Sequence, residues 1–428
     1  METNGTVNRN EPSSTEPECN PTYVITGQQV GLLGGPLYTL YKILTAVRLA
    51  EKYHATPVFW MELNDSDFNE INKLTVQTPS GDLETLEWKK HTAGISVGYV
   101  QTDESLLSLL NQYIELLPEN HVTTMLKDFI FSVYRPGREL QDVAVDLFGT
   151  ILKGLQVEFF NPMQREFIEF SQSILRNECF RTPVGEQCNA FVLRDRKRIA
   201  LFRTEDGFTD RNGNPINVEK EVLLPNYRTR PLLQDAWFKN AVYVAGPSEE
   251  KYLSELDDLY QHHGIRQSTI VPRFSTTLIT EHLNKELNYS NISVQEILEN
   301  EVSEVFNRLL LRKEGVTPAT IKQKAEQIRV KFIEELRELG FTAKDLDYQT
   351  KKLLKNEIGA FRADMKQKYQ QELALINRAF NFLKPYGNPQ ERVFPILGMM
   401  AMTGDSDFVE HIYQQIESKS KILEMSYA

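Results

Sequence analysis

A strand, a glycine-rich turn and a helix follow one another near the start of the chain, and their residues are suited to binding an anion. The β-branched and aromatic run Thr22–Thr26 predicts the strand, and the turn extends from Gly27 to Gly35 with two further glycines inside it. The apolar periodicity from Pro36 to about Glu51 predicts a helix that begins at the proline. Glycines let a ligand approach the backbone, and a helix N-terminus presents free N–H groups. A phosphate is one predicted ligand. The pattern is neither G-x-G-x-x-G nor a Walker loop, so a turn without a ligand is the alternative.

Three carboxylates follow the next apolar run, Pro57–Met61, which predicts a buried parallel strand. They belong to Asp65, Asp67 and Glu70. Because α/β sheets bind ligands at the carboxyl ends of their strands, these side chains could hold a metal or act as general bases. An EF-hand is excluded, since Glu70 occupies the position of its required glycine. A solvated acidic loop that caps a helix is the alternative interpretation.

The same order of strand, glycine turn and helix recurs in the second half of the chain. Ala241–Ala245 predicts a core strand, Gly246 begins the turn, and Glu249 and Tyr252 lie on the predicted helix. Arg230 precedes this strand. A guanidinium group forms paired hydrogen bonds with phosphate or carboxylate, so Arg230 is the first candidate for contacting a charged ligand.

Two other groups of polar residues are interpreted as surface features. His262 and His263 end the helix that follows Gly246, and their spacing in the sequence offers no zinc-like partner. The basic run from Arg194 to Arg198 is interpreted as the surface of a hairpin, with a phosphate clamp as the alternative. No side chain is therefore assigned to a metal site from the sequence.

The elements that must position these residues alternate between strands and helices. Three helical patterns lie between residues 106 and 153, and residues 157–160 form another apolar run before a further helix. This alternation predicts an α/β fold with a doubly wound parallel sheet. If the strands that precede Gly27 and Gly246 are neighbours in that sheet, the two glycine turns face one crevice.

The composition limits the class of protein. Of 428 residues, 41% are hydrophobic and 25% charged, which is ordinary for a water-soluble chain. The net charge of -11 argues against broad binding of nucleic acid. No apolar run reaches the roughly 18 residues of a membrane span, and the N-terminal residues lack a signal-peptide core. Three scattered cysteines do not form a disulfide framework, so a reduced cytoplasmic location is expected.

The chain is expected to contain one large α/β core and a helical region. The predicted divisions are a disordered tail at 1–20, a core at 21–290 with insertions at about 73–101 and 180–225, a helical domain at 291–384, and a helix returning to the core within 385–428. The insertion at 180–225 is expected to be a small antiparallel sheet because its apolar runs are separated by turn residues.

Steps of three and four residues between apolar positions predict an antiparallel coiled-coil hairpin within the helical region. Its two predicted seams, joined near Gly340, consist of Ile321, Ala325, Ile328, Phe332, Leu336 and Leu339, and of Leu354, Ile358, Phe361, Met365, Tyr369, Leu373, Ile376, Phe380 and Leu383. The hairpin could mediate a homodimer, or the seams could pack within one chain.

Specific motifs in this sequence resemble the cysteine ligase family of bacillithiol biosynthesis. The strongest is GQQ-x-GL-x-x-GPLYT-x-x-K, from Gly27 to Lys42. Further matching blocks are Thr229–Leu232, Ala245–Pro247 with Glu249, Tyr252 and Glu255, Pro272–Arg273, and a weaker one at Pro389–Arg392. The resemblance extends from about Tyr23 to Leu397.

The resemblance implies a Rossmann-like parallel-sheet core related to class I aminoacyl-tRNA synthetases, followed by a coiled coil. It also implies the addition of cysteine to glucosaminyl-malate, with ATP activating the cysteine carboxylate. The nucleotide is expected to bind as ATP or ADP, with Mg²⁺ held through its phosphates. The expected partners are these small molecules, with no nucleic acid and no membrane. The expected nucleotide-binding residues are Gly27, Gln28, Gln29, Gly31, Gly35, Thr39, Gly246, Glu249 and Tyr252, and the expected catalytic residues are Lys42, Asp65, Asp67 and Arg230.

The sequence departs from the family pattern in two places. The family usually begins with a helical arm before the glycine turn, and residues 1–20 contain no such pattern. The family's acidic loop reads G-E-D-H-D, whereas Leu63, Asn64 and Ser66 here replace its glycine, glutamate and histidine. A serine hydroxyl cannot take up a proton near neutral pH. Two alternatives follow: a diverged non-catalytic homologue that binds a nucleotide or a partner through the coiled coil, and another ATP-dependent amino-acid ligase.

Overall fold

The computed structural model describes residues 20–342, 344–416 and 422–425. The tail predicted at 1–20 lies, except for Asn20, outside these residues. The strands are β1 Tyr23–Gln28, β2 Thr56–Met61, β3 Lys73–Gln77, β4 Leu83–Glu87, β5 Glu158–Phe160, β6 Gln187–Arg194, β7 Lys197–Thr204, β8 Gly207–Thr209, β9 Pro215–Ile216, β10 Val222–Pro225, β11 Ala241–Ala245, β12 Thr269–Pro272, β13 Thr277–Thr280 and β14 Ile422–Met425. The α-helices are α1 Tyr38–Tyr53, α2 Glu104–Glu115, α3 His121–Val133, α4 Leu140–Ile151, α5 Arg165–Arg181, α6 Thr229–Trp237, α7 Pro247–Leu253, α8 Asp257–His263, α9 Glu281–Tyr289, α10 Val294–Glu299, α11 Val302–Glu314, α12 Pro318–Glu338, α13 Lys344–Lys368, α14 Gln370–Leu383, α15 Ile396–Thr403 and α16 Phe408–Gln415.

A five-stranded parallel sheet forms the centre of the α/β unit, with the strand order β12-β11-β1-β2-β5. Its strands are apolar on both faces because helices cover both sides of a parallel sheet, and every residue of β11 is buried. The chain passes from β1 to β2 on one side, while β11 pairs with β1 on the other. The strand order therefore reverses at β1, where α/β folds place their ligands. The predicted doubly wound sheet is confirmed, and β12 is a strand that the sequence analysis missed.

The first helix begins later than the sequence predicts. Pro36 forms an isolated antiparallel bridge with Pro395, and α1 starts at Tyr38. The Leu37 N–H donates to the Phe394 carbonyl, and the Ile396 N–H donates to the Gly35 carbonyl. The prediction of a helix beginning at Pro36 was wrong because a distant segment supplies extended-chain partners to these residues.

Aromatic side chains pack beneath the sheet on the side of β5. Trp60, Phe160 and Phe167 are at most 3% exposed. The Trp60 and Phe167 ring centroids lie 5.1 Å apart, and those of Phe160 and Phe167 lie 5.2 Å apart, both edge to face. Each buried ring contributes about 1.5–3 kcal/mol of hydrophobic free energy. This packing holds β2 and β5, and therefore the loop after β2, in a defined position.

The antiparallel insertion predicted at 180–225 is confirmed. Strands β10, β6, β7, β8 and β9 pair in that order, and each pair is antiparallel. The turn between β6 and β7 is formed by Asp195 and Arg196, both with positive φ. The predicted hairpin within 73–101 corresponds to the two-stranded sheet of β3 and β4.

The described residues divide into two compact units. Unit 1 comprises residues 20–76, 85–276, 394–416 and 422–423, and it contains the parallel and antiparallel five-stranded sheets. Unit 2 comprises residues 77–84, 277–342, 344–393 and 424–425, and it contains α9 to α14. The unit boundaries fall near residues 276 and 393, beside the predicted divisions at 290 and 384.

Within unit 2, α12 and α13 contact each other, and a turn with Gly340 at φ +85° lies between them. Arg329 of α12 forms an ion pair with Asp347 of α13. Two members of the predicted first seam face solvent, since Ile328 is 71% and Phe332 45% exposed. Ile333, at 3% exposed, lies on the buried face instead. Packing within one chain therefore does not account for these two positions, and a contact with a second copy of the chain stays a prediction for this side of α12.

The second predicted long helix is interrupted at Tyr369, between α13 and α14. The Tyr369 hydroxyl hydrogen-bonds to the Glu314 carboxylate of α11. This contact holds the residue at the junction, where φ is -110° and ψ is 32°.

Candidate functional site

The two glycine turns leave neighbouring strands of the parallel sheet at the same edge. Strands β1 and β11 pair in parallel, with Ile25 opposite Tyr243. The Thr26 hydroxyl also donates to the Val244 carbonyl at 2.9 Å. The condition for the predicted shared crevice, that β1 and β11 are neighbours, is therefore met, and the crevice itself stays a prediction.

Lys42 connects the two turns. Its Nζ donates to the Gly27 carbonyl at 2.5 Å and to Glu249 Oε2 at 2.6 Å. Its side chain is 1% exposed, although it projects from the first half of α1. Glu249 also accepts the Gly246 N–H at 2.8 Å and the Tyr243 hydroxyl at 2.9 Å. Lys42 is therefore an enclosed residue that holds the two glycine turns in place through Gly27 and Glu249.

Burial sets the protonation chemistry of this ion pair. Burial lowers the pKa of the Lys42 ammonium, Glu249 opposes this shift, and Arg230 and Arg273 reinforce it. Burial alone would raise the pKa of Glu249, but the charge of Lys42 and its hydrogen bond outweigh it and leave that pKa below its usual value. The carboxylate of Glu249 is therefore held in its ionised form.

Arg230 forms a second ion pair at the same edge. Its guanidinium donates to Glu62 Oε2 at 2.7 Å and to the Tyr252 hydroxyl at 2.7 Å. Burial would lower the pKa of Arg230, but Glu62 and the neighbouring tyrosines and Glu249 raise it well above its usual value. The Arg230 side chain remains 18% exposed, so it can reach a ligand. Glu62 was missed in the sequence because it directly continues the apolar run of β2.

Asp65 is held by four donors. Its Oδ1 accepts Arg198 Nη1 at 2.5 Å, the Ser66 N–H at 2.6 Å and the Asp67 N–H at 3.4 Å, and its Oδ2 accepts the Gln29 amide at 2.8 Å. Arg198 also stacks on Phe191, with its guanidinium carbon 3.9 Å from the ring centroid. The Asp65 carboxylate is 33% exposed and therefore has a fixed orientation with a surface open to a ligand.

The basic run from Arg194 to Arg198 separates into two parts. Arg194 and Arg196 lie on the hairpin surface, where they pair with Glu221 and Glu139. The interpretation of a hairpin surface was wrong for Arg198, whose side chain is 10% exposed and contacts Asp65. Alternation along β7 directs it to the opposite face of the strand from Lys197.

Asp67 has a different environment from Asp65. It is exposed, and its Oδ1 accepts the Asn69 N–H at 3.1 Å at the start of the short 3₁₀ turn Phe68–Glu70. This is the capping role of the alternative interpretation. Burial raises the pKa of Glu70, and the charges of Asp67 and Asp65 add to this shift. Among the described residues, the three carboxylates of the loop do not form a group whose oxygens all lie within 4.8 Å of one another.

The first glycine turn is folded tightly upon itself. A Cβ on Gly31 would lie 2.9 Å from the Gly35 Cα, and Gly35 has φ +69°, so neither position tolerates a side chain. The N–H groups of Leu32, Leu33 and Gly35 donate to Ile71, Tyr134 and Leu32, respectively. These contacts explain why the turn needs its glycines, and they direct three of its amides into the protein.

Half-buried residues form the accessible part of the edge. Gln28 donates to the Tyr38 hydroxyl at 3.0 Å, and the Arg273 guanidinium lies 5.5 Å from the Tyr38 ring centroid. Arg273 also lies close to the second turn, because a Cβ on Gly246 would be 3.7 Å from its Nε. The motif Pro272–Arg273 therefore lies at the same edge of the parallel sheet as Arg230, beside the second glycine turn.

The charges of this cluster are nearly balanced. Four cationic side chains, Lys42, Arg198, Arg230 and Arg273, are accompanied by three carboxylates, Glu62, Asp65 and Glu249. Three of the cations are paired with these carboxylates, and the two that lie closest to the second turn and remain partly accessible are Arg230 and Arg273. The edge can therefore bind an anion of low charge density or the end of a larger anionic ligand.

Buried polar atoms near the turns test whether a nucleotide fits. Within the described residues, Gln29 Oε1, Thr39 Oγ1 and Arg198 Nε have no hydrogen-bond partner. A buried polar atom without a partner costs about 1–3 kcal/mol, so such atoms commonly serve a ligand or an ordered water. Two of these atoms can donate to an anion. The interior of the first turn, which Thr39 Oγ1 faces, is too narrow for a phosphate, whereas the partly exposed guanidinium of Arg230 is compatible with an anionic group of ATP.

Taken together, these features define an α/β protein of the Rossmann-like class with a polar, anion-compatible site where the strand order reverses. The family model described as "Bacillithiol biosynthesis BshC, N-terminal Rossmann-like domain" matches residues 17–184 and 179–274. The chain belongs to this BshC family.

Relatives match over nearly the whole chain. A protein of Anoxybacillus flavithermus named "Putative cysteine ligase BshC" is 25% identical, with 91% of this chain and 82% of that protein covered. A protein of the same name from Carboxydothermus hydrogenoformans is 29% identical over 89% of this chain and 80% of that protein. Among solved structures, a Campylobacter jejuni protein titled "putative arginyl t-RNA synthetase" shares 10% identity over 95% of both chains, with a TM-score of 0.29. A TM-score this low supports no conclusion about this chain. Among the helices of the described residues, none has the length and apolar character needed to span a membrane.

Proposed function

We propose that the chain is a ligase of bacillithiol biosynthesis that joins cysteine to glucosaminyl-malate in an ATP-dependent reaction. The observation that carries this proposal is the pairing of β1 with β11, which brings Lys42, Glu249 and Arg230 to one strand edge. The names of the relatives in the BshC family support the ligase role and the choice of cysteine.

In this proposal, the two arginines that face the turns bind the anionic parts of the substrates. Arg230 is held by Glu62 and Tyr252 with its guanidinium partly exposed, and Arg273 lies beside Gly246. A positioned guanidinium stabilises negative charge that develops on a phosphate or carboxylate oxygen. Lys42 positions both turns and does not itself touch the substrate, because its ammonium is enclosed.

Asp65 is proposed to orient the amine nucleophile. Arg198, Gln29 and the Ser66 N–H fix its carboxylate, and its exposed surface can accept an N–H of the incoming amine. Holding a nucleophile in the reactive geometry accounts for several kcal/mol of a reaction barrier. This role requires no proton transfer at position 66 and is therefore compatible with serine there.

The nucleotide is proposed to lie over the accessible edge formed by Gln28, Gly246 and Tyr252. ATP supplies the leaving group that activates the carboxylate of cysteine toward an amine. The enclosed glycines Gly31 and Gly35 shape the turn for this purpose and are not themselves in contact with the phosphates.

The proposal is tested by incubating the full chain with ATP, cysteine and glucosaminyl-malate and detecting the thiol product by mass spectrometry. We expect product from the unmodified protein and a loss of at least tenfold in Arg230→Ala. Arg165→Ala is the matched control, because Arg165 is 84% exposed and contacts only Glu169 among the ion pairs described.

The outcome separates the three functions. No product together with ATP binding in calorimetry would favour a non-catalytic homologue, and product only with another amine acceptor would favour a different amino-acid ligase. The absence of both product and ATP binding would refute the proposal.

A further inference from the structure

Two histidines and a buried glutamate lie together at the ends of α5 and α8, and none of them belongs to the polar site described above. Glu178 lies in the last turn of α5 and is 2% exposed, and His262 and His263 end α8. One ligand atom from each of the three lies within 4.8 Å of the others. His263 Nε2 is 2.8 Å from Glu178 Oε1.

A cation beside Glu178 is electrostatically favourable. The last turn of a helix carries partial negative charge from its free carbonyls, so a carboxylate there is unfavourable, and burial increases the cost. Arg181 contacts Glu178 Oε1 at 3.3 Å from a side chain that is 39% exposed, so solvent screens its charge. A divalent cation would compensate the carboxylate and the helix end together.

The geometry is close to that of a zinc site. Zinc bound to nitrogen and oxygen at about 2.05 Å in a tetrahedron places its ligand atoms about 3.3 Å apart. The contact of 2.8 Å between His263 and Glu178 needs only a small opening, and a ring nitrogen of His262 already lies within 4.8 Å of the ligand atoms of both residues. Asn177 Oδ1 lies 3.0 Å from His262 Nε2 and is placed to orient that ring.

We propose that Glu178, His262 and His263 bind Zn²⁺, with a fourth coordination position open to solvent. Imidazole and carboxylate ligands suit zinc, and an oxygen-preferring ion such as Mg²⁺ would not select two histidines. The sequence hides this site, because Glu178 precedes His263 by 85 positions. The metal would fix α8 on α5, and α8 follows directly on α7, which carries Glu249 and Tyr252.

A simpler interpretation is a hydrogen bond between His263 and Glu178 that joins the two helices without a metal. The two interpretations differ at His262. A hydrogen-bonded pair makes no use of the His262 ring, whereas a zinc site loses one of its three protein ligands when that ring is removed.

The test titrates chelator-treated full-length protein with ZnCl₂ by calorimetry and with Co²⁺ by visible absorption, which reports tetrahedral coordination. We expect one equivalent of metal, at least tenfold weaker binding in His262→Ala and in His263→Ala, and loss of the Co²⁺ band in both. His262→Ala alters an exposed side chain, and its far-ultraviolet circular dichroism should match the unmodified protein.

Two control variants localise the metal. His282→Ala removes a histidine that is 73% exposed and lies beside Glu286, and it should leave binding unchanged. Cys188→Ser should also leave it unchanged, although Cys179 and Cys188 are buried thiols in the same region of the chain. No uptake by the unmodified protein, or equal affinity in His262→Ala, would overturn the proposal.

Discussion

Replacing Lys42 by methionine should destabilise unit 1 by about 3–4 kcal/mol. The substitution keeps an unbranched side chain, one heavy atom shorter than lysine, and removes the ammonium, so Glu249 loses its cation while it is only 19% exposed. Removing one member of a buried ion pair costs about 3–5 kcal/mol. The loss should lie near the lower end of this range, because Gly246 and Tyr243 still donate to Glu249.

The measurement is urea unfolding followed by tryptophan fluorescence. Trp60, Trp88 and Trp237 are the three tryptophans of the chain, and all lie in unit 1, so the signal reports that unit. The double variant Lys42→Met/Glu249→Gln should recover about 1–3 kcal/mol relative to the sum of the single variants, since it removes the buried charge as well. The exposed Lys239→Met is the matched control and should change stability by less than about 0.5 kcal/mol.

Two results would refute this reasoning. A loss below about 1 kcal/mol in Lys42→Met would place the lysine in a solvated environment. Additive effects of the two substitutions would show that Lys42 and Glu249 do not interact, and the connection between the glycine turns would then need another basis.

Three further predictions follow from local contacts. Gly31→Ala brings a methyl group to 2.9 Å from the Gly35 Cα and should lower the free energy of unfolding in urea by about 1–3 kcal/mol. The control Gly149→Ala, in open space within α4, should raise it by about 0.5–1 kcal/mol. Equal effects of the two substitutions would contradict the tight turn. Burial alone would raise the pKa of Asp103, but hydrogen bonds from Lys90 and Ser105 outweigh burial and lower this pKa to about 2. The ionised carboxylate therefore contributes its full stabilisation to the fold above the unfolded pKa near 3.8, and this contribution is lost as the pH falls through about 2. In Asp103→Asn, the free energy of unfolding should therefore fall less steeply between about pH 4 and pH 2, by less than about 1 kcal/mol because the side chain is 37% exposed. An unchanged pH dependence in this range would contradict the lowered pKa of Asp103. Phe332→Asp, on the exposed apolar side of α12, should convert a dimer to a monomer in analytical ultracentrifugation, and a monomeric unmodified protein would refute the predicted coiled-coil dimer.

Local sequence patterns predicted the elements of the core well. The apolar runs before Gly27 and Gly246 correspond to β1 and β11, and the run Pro57–Met61 lies within β2. Such patterns depend on neighbouring residues and on the two faces of a strand, so they can be read along the chain. The start of α1 was predicted wrongly, because Pro395 and its neighbours, which compete for the same backbone groups, are remote in sequence.

The candidate site was predicted only in part. Arg230, Lys42 and Asp65 were identified from their types and positions, and the structure adds the distant partners that define what each can do. Glu62 pairs with Arg230 across 168 positions, and Arg198 pairs with Asp65 across 133. These contacts could not be predicted, because an ion pair leaves no periodic signal at such separations.

The sequence by itself determined the strands, the glycine turns and the charged residues available at the strand ends, since these depend on apolar periodicity and on the conformational range of glycine. The tertiary structure alone decided that β11 lies beside β1, which places Lys42 between the two turns and leaves Arg230 partly open. The physical reason is that strand order and burial arise from the packing of the whole chain. The same lysine is a solvated charge or an enclosed connector according to what surrounds it.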